Sequence, residues 1–277
     1  MIRLCAFSDE AGSDIYTQID ALKRNNIKLV ELRSIDNKNV SDFTIDDAKE
    51  YYKIFKENDI EVFSIGSPLG KVDINVDFDE YEKKIRHTFE ISKIFNCNNI
   101  RMFSFFNAYN DEELVFKYLN KMVNIAKEYD LSLFHENEKD IYGDTADRCI
   151  DLMKELSCDH FKAVFDPANF VQSKQDTLYA YENLKDYIAY MHIKDAKFAD
   201  GSVVPAGAGD GNVEKILKDL MANGYDGFLS LEPHLGSFAG LAALELDDKM
   251  ESLPEGGEGT FTLAYRALCG ILERIRK

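Results

Sequence analysis

Three carboxylates and an imidazole stand where apolar runs of this chain stop: Glu136 in FHENE, Asp166 in FDPANF, His192 in YMHIKDA and Glu232 in LSLEPH. Oxygen and imidazole donors of this kind suit a hard or borderline divalent cation. The four lie 30, 26 and 40 residues apart, about the length of one strand–loop–helix unit. Residues at the C-terminal ends of successive parallel strands converge at the mouth of a barrel. Three carboxylates and a neutral imidazole carry three negative charges, so a bound dication would leave the centre near −1 and still Lewis acidic. Each residue alone has a plainer reading. A strand-end acid is commonly a surface group or a helix cap, Asp-Pro is a turn signal, and a strand histidine can be a satisfied core residue. Four together at the ends of strands five to eight favour one shared metal site, and hence a metalloenzyme.

The elements that would place them alternate along the chain. Strand-like runs occur at 2–7, 28–32, 60–66, 99–105, 130–135, 161–166, 188–193 and 227–232. Amphipathic stretches separate them: YTQIDALKRN puts Ile19 and Leu22 on one face, and DEYEKKIRHTFEISKIF does the same for Tyr81, Ile85, Phe89 and Ile91. Asp111 and Thr145 are expected N-caps, and GNVEKILKDLMANG ends in glycine. Eight strands each followed by a helix, with no Pro/Gly-rich linker, describe an α/β fold with a single (β/α)8 TIM barrel domain over 1–277. The alternative is a doubly wound open sheet, but no GxGxxG follows the first strand.

Composition narrows the function classes. The formal charge is −17, from 33 basic and 50 acidic residues, which opposes a phosphate backbone and argues against nucleic acid. Five scattered cysteines with no CxxC read as reduced thiols, mostly buried. An acidic pair interrupts MIRLCAFSDE before a signal-peptide core could form, and no apolar run approaches the roughly 20 residues of a membrane span. The expectation is a soluble, cytoplasmic protein with no membrane partner.

HENEKDIYGDT, FDPANF, MHIKDA, GAGDGN and GYDGFLSLEPH together resemble the sugar phosphate isomerase/epimerase family of the xylose isomerase-like TIM barrel superfamily. FSDEAG, VELRSIDNKNV, SIGSPLGK and RMFSFF extend the likeness over nearly the whole chain. The resemblance implies that Glu136, Asp166, His192 and Glu232 ligate one divalent metal, manganese first, with magnesium, cobalt or zinc as alternatives. It implies a sugar or sugar phosphate as substrate. A keto sugar chelated through its carbonyl and neighbouring hydroxyl would lose its α proton to a carboxylate, with the developing charge stabilised electrostatically. Return from the opposite face gives an epimer, and return to the adjacent carbon gives the aldose–ketose isomer. Glu136 and Glu232 are the candidate acid/base pair. Three other readings stay open: an inosose-type dehydratase using the same enolate, an endonuclease IV-like metallohydrolase, and a non-catalytic sugar-binding barrel. The hydrolase would need more histidines than His135, His192 and His234, since His87 falls within a helix and His160 before a strand.

Around this core, His234 and Lys194 are candidate substrate contacts or solvated loop residues. Asn169 would bond a sugar hydroxyl or cap a helix. Lys71, Arg33 and Glu10 follow strands three, two and one as further candidate contacts. The GAGDGN loop at 207–212 reads either as a phosphate cradle of backbone N–H groups or as a tight turn. Tyr142, Asn169 and Phe198 stand where the free-sugar 3-epimerases carry glutamate, histidine and arginine, so ketohexose 3-epimerisation is not the expected specific activity. The segment 235–260 is long for a barrel connection and is expected to form a lid or an oligomer contact. The family resemblance also admits a homo-oligomer.

Overall fold

In the computed structural model, which describes residues 2–235 and 256–277, eight parallel strands close into a barrel. They are β1 (Arg3–Ala6), β2 (Leu29–Leu32), β3 (Glu61–Gly66), β4 (Asn99–Met102), β5 (Ser132–Glu136), β6 (Phe161–Phe165), β7 (Ile188–Ile193) and β8 (Phe228–Leu231). Each strand pairs with its neighbours in sequence, and β1 closes on β8 through Arg3–Phe228, Leu4–Leu229, Cys5–Ser230 and Ala6–Leu231. The open-sheet alternative is therefore excluded. The observed strands differ from the apolar runs by a few residues at their ends; at the C-terminal ends Phe7, Phe103, Phe105, Asp166 and Glu232 leave the ladder but stay buried.

Nine helices follow: α1 (Ile15–Arg24), α2 (Ile45–Glu57), α3 (Phe78–Ile94), α4 (Glu112–Glu128), α5 (Ala146–Leu156), α6 (Pro167–Gln172), α7 (Thr177–Leu184), α8 (Val213–Ala222) and α9 (Gly257–Arg276), as counted among the described residues. Their starts are chemically marked. Thr44 and Asp47 form a reciprocal capping box on α2, and Thr145 accepts from the Arg148 N–H on α5. Asp111 precedes α4 as expected, but its side chain makes no capping bond. The apolar faces read from sequence are the buried ones: Ile19 and Leu22 on α1, and Tyr81, Ile85, Phe89 and Ile91 on α3.

Two apolar layers result. The larger fills the space between strands and helices. The smaller fills the lower barrel interior, where Phe134, Val164 and Tyr190 pack with Phe63, Ala189 and Phe228. Phe63 stacks on Phe228 at 3.8 Å, and the Arg3 guanidinium lies 3.7 Å from the Phe228 ring, closing the N-terminal end. The upper end of the same interior is charged. All five cysteines are free, with Cys5, Cys97 and Cys149 buried and Cys158 and Cys269 partly so. No described helix is long and apolar enough to cross a membrane. The segment expected to form a lid or oligomer contact falls mainly on residues 236–255, outside the described residues.

Candidate metal centre

Glu136 is the last residue of β5, and Asp166 follows β6 directly. His192 is the penultimate residue of β7, and Glu232 follows β8. The barrel turns all four inward at its C-terminal mouth, where one donor atom from each lies within 4.8 Å of the others. All four are at most 4% exposed. His192 Nδ1 stands 3.0 Å from Glu136 Oε1, 3.4 Å from Glu232 Oε2 and 3.8 Å from Asp166 Oδ2. Asp166 is also what its plainer reading suggested: it N-caps α6, accepting from the Asn169 N–H at 2.8 Å with Pro167 next. That bond uses Oδ1, while the buried Oδ2 meets no backbone N–H and faces the Lys194 ammonium at 2.9 Å and His192 Nδ1.

Charge decides whether a dication fits. The buried charges in contact with one another around His192 are four carboxylates (Glu31, Glu136, Asp166 and Glu232) against two cations, Lys194 and Arg101. With the imidazole neutral, two negative charges remain, which one divalent ion balances. The inward Asp166 oxygen, the imidazole and two further carboxylates match such an ion in donor type and number.

The protonation pattern follows from burial and neighbours. Burial would raise Glu136, but His192 and Arg101 outweigh it and hold this carboxyl at about 2. Burial likewise opposes ionisation of Glu232, yet Lys194, His192 and His234 keep it well below the usual carboxylate range. For Asp166 burial wins over Lys194, with Glu232 and Glu136 adding to it, and the pKa rises to about 6. Burial would lower His192 and Lys194; Glu136 and Glu31 hold the first high, and Asp166 and Glu232 the second.

Lys194 stands 2.9 Å from both Asp166 Oδ2 and Glu232 Oε2, so it bridges the cluster rather than projecting freely into the cavity. Asn169 donates to Glu136 Oε1 at 3.1 Å and to the Asn137 carbonyl at 2.9 Å, which orients Glu136 and leaves no amide N–H aimed at a sugar. Arg33 is spoken for by Asp9 at 2.8 Å, Glu10 at 2.6 Å and Glu232 at 3.4 Å, against its expected role as a free anion contact. Glu10 also pairs with His234 Nε2 at 3.1 Å. Lys71 pairs with Glu138 at 3.0 Å over the Phe103 ring. Arg33, Lys71, Glu136, Glu232 and His234 line one cavity of about 140 Å³, together with Arg101 and Phe103.

One open choice closes and one expectation changes. The N–H groups of Gly207, Gly209 and Gly211 donate to Asp195 at 2.9, 3.1 and 2.8 Å, so this loop is a turn around an internal carboxylate and not a phosphate cradle. A Cβ at Gly209 would lie 2.4 Å from Asp195 Oδ1, which is why glycine is needed there. His135 points to the outer face of β5, where a Cβ on Gly143 would come within 2.5 Å of its ring, so His192 and His234 are the histidines at the mouth among the described residues. Tyr142 is buried and Phe198 lies on an exposed hairpin, and neither lines the cavity. Two residues were missed. Glu31, 0% exposed, contacts His192 Nε2 at 3.1 Å, and Arg101 Nε lies 3.3 Å from Glu136 Oε2. The available signal was a lone charge inside each of two apolar runs, VEL and IRM.

Solved structures share this architecture. The probable 3-DHS dehydratase AsbF of Bacillus anthracis aligns over 97% of this chain and 99% of its own, with TM-score 0.72 and 16% identity. An L-ribulose 3-epimerase aligns over 99% and 95%, with TM-score 0.72 and 17% identity. At such identities the likeness is one of fold. An uncharacterized protein of Methanocaldococcus jannaschii is 26% identical over 129 residues, which span 42% of this chain and 42% of that protein. The model of the xylose isomerase-like TIM barrel family matches residues 19–254, and the chain belongs to that family.

Proposed function

We propose that this protein is a divalent-metal-dependent isomerase or epimerase of a sugar or sugar phosphate, acting by proton transfer next to a carbonyl. The observation that carries this reading is the pair of buried glutamates, Glu136 and Glu232, lining one cavity within a single cluster with Asp166 and His192. An ion held by these four, manganese being our first choice, would supply Lewis acidity to a carbonyl and its neighbouring hydroxyl. The side chains do the rest. Glu136, held ionised by His192 and Arg101, is ready to accept a proton at neutral pH. Glu232, kept ionised chiefly by Lys194, is its counterpart on β8. Arg101 and Asn169 fix the orientation of Glu136, and Lys194 and Arg33 that of Glu232. A carboxylate that keeps the abstracted proton can return it to the adjacent carbon while the hydroxyl proton passes to the carbonyl oxygen, whereas the other carboxylate, once it has taken a proton from water, can deliver it to the opposite face and invert the centre.

Solvent-deuterium incorporation into a panel of keto sugars, sugar phosphates and inosose, with Mn2+ or with chelator, tests this. Metal-dependent exchange is expected, falling by about 10³-fold in Glu136→Gln and in Glu232→Gln. Loss of water from the product would redirect the assignment to a dehydratase. Absence of exchange across the panel in metal-loaded protein would overturn it.

A further inference from the structure

Beneath the four-residue cluster, the barrel interior holds one more carboxylate. Glu31 is the third residue of β2 and is 0% exposed. The neighbouring β3 carries an extra residue at this level: Val62 pairs with Val30 and Ser64 with Glu31, leaving Phe63 between them. Irregularities of this kind re-aim side chains locally. Glu31 Oε1 accepts from the Tyr190 hydroxyl at 2.5 Å, and Oε2 accepts from the Ser230 hydroxyl at 2.5 Å. Oε2 also faces His192 Nε2 at 3.1 Å. The other imidazole nitrogen, Nδ1, faces the three carboxylates of the cluster. Carboxylates face both nitrogens, but a dication among the three at Nδ1 needs the bare lone pair there, so the proton of a neutral imidazole then belongs on Nε2, where Glu31 can only accept. The Phe7 and Tyr190 rings stand edge-on to the imidazole at 5.2 and 5.5 Å and hold its plane.

We infer that Glu31 is the positioning residue of this centre, fixing His192 as the Nε2–H tautomer with Nδ1 free to ligate, and supplying one of the two negative charges that match a dication. The inference rests on the metal-centre reading above. It makes metal affinity depend on a residue that lies behind the ligand, with Tyr190 and Ser230 holding that residue in turn. Removing such a partner typically weakens metal binding by about 10- to 100-fold.

Mn2+ alone, titrated into the chelator-stripped full chain and followed by the free-ion EPR signal, gives the affinity. Glu31→Gln preserves shape and volume and is expected to weaken Mn2+ by about 10- to 100-fold, while Ser230→Ala, which leaves the carboxylate, should cost less than about 10-fold. Long-range ¹⁵N–¹H correlation on the unaltered Zn2+-loaded protein should show His192 Nδ1 metallated and Nε2 protonated. Undiminished Mn2+ affinity in Glu31→Gln, or zinc on Nε2, would overturn the inference while leaving the metal centre standing. Should Glu31→Gln fail to fold, the nitrogen assignment in the unaltered protein decides alone. Failure of the unaltered protein to take up either ion would instead sink the metal-centre reading, and this inference with it.

Discussion

Asp166 and Asp195 are both buried aspartates at the same end of the barrel, yet their surroundings are opposite. Asp195 accepts from four backbone N–H groups, those of Ala196, Gly207, Gly209 and Gly211. Asp166 receives one N–H, from Asn169, and its second oxygen is met by no backbone N–H, only by the Lys194 ammonium at 2.9 Å that it shares with Glu232. Burial raises the pKa of both. A buried carboxylate satisfied entirely by its own loop holds that loop together. One left short of donors, beside three other potential ligands, is poised for a cation. Both were flagged by nearby sequence, FDPANF and GAGDGN, and only their hydrogen bonds separate ligand from staple.

Asn substitution at each site should split the two roles, and this is the largest effect expected. Asp166→Asn should weaken Mn2+ binding by more than about 100-fold, beyond the loss usual for an outer partner, with little change in thermal stability. Asp195→Asn turns an amide NH2 toward backbone N–H donors and should cost about 2–4 kcal/mol, a fall in Tm of roughly 5–10 °C. Its Mn2+ affinity should stay within a few-fold of the unaltered protein. Calorimetric unfolding and metal titration on both variants would show it. If Asp166→Asn lowers Tm and keeps its metal, the contrast between the two aspartates is wrong.

The next effect is on pH. In the metal-free protein His192 holds a proton above its ordinary range, and Asp166 does so up to about pH 6. A metal must displace those protons, so affinity should already fall with pH near 7 and more steeply below about 6, and binding should release protons. Near pH 7 Asp166 is largely ionised and His192 supplies most of the release; at lower pH Asp166 adds to it. Calorimetry in buffers of different ionisation enthalpy measures the number. Asp195→Asn should leave it unchanged, whereas Asp166→Asn should remove the part that grows below pH 7.

How much of this was legible depends on where each side chain's partners lie in the chain. The barrel was readable because every strand is a local apolar run followed by a local amphipathic helix. Glu136, Asp166, His192 and Glu232 were readable because each ends such a run, and strand ends of a parallel barrel share one mouth. Glu31 was not: it sits inside VEL, and its donors come from residues 159 and 199 positions away. Strand alternation turns it inward between Val30 and Leu32, which pack in the outer layer, but nothing local names the groups it meets there. The Gly207–Gly211 loop reads from sequence as either an anion cradle or a tight turn, and its N–H groups do converge. The anion, Asp195, is an internal residue 12 to 16 positions upstream across a hairpin. His135 shows the opposite case: adjacency to Glu136 in sequence places it on the opposite face of the strand.

Glu138 is a third kind of acid, and it should give the smallest effect. It lies on the cavity wall two residues after Glu136, but its partner is the Lys71 ammonium at 3.0 Å, and both side chains remain partly exposed. Water screens such a pair, so it contributes about 0–1 kcal/mol. Glu138→Gln should therefore change Tm by no more than roughly 2–4 °C and leave Mn2+ affinity within about 2-fold. Lys71, released from its partner, stays on the cavity wall. If a substrate anion seeks it, Glu138→Gln should lower KM for a phosphorylated substrate relative to the free sugar, with kcat unchanged. Equal KM shifts for both would place Lys71 on the rim as a solvated pair member only. A loss of metal in Glu138→Gln would mean that exposure does not separate rim acids from ligands here, and the line drawn between Asp166 and Asp195 would have to rest on donor count alone.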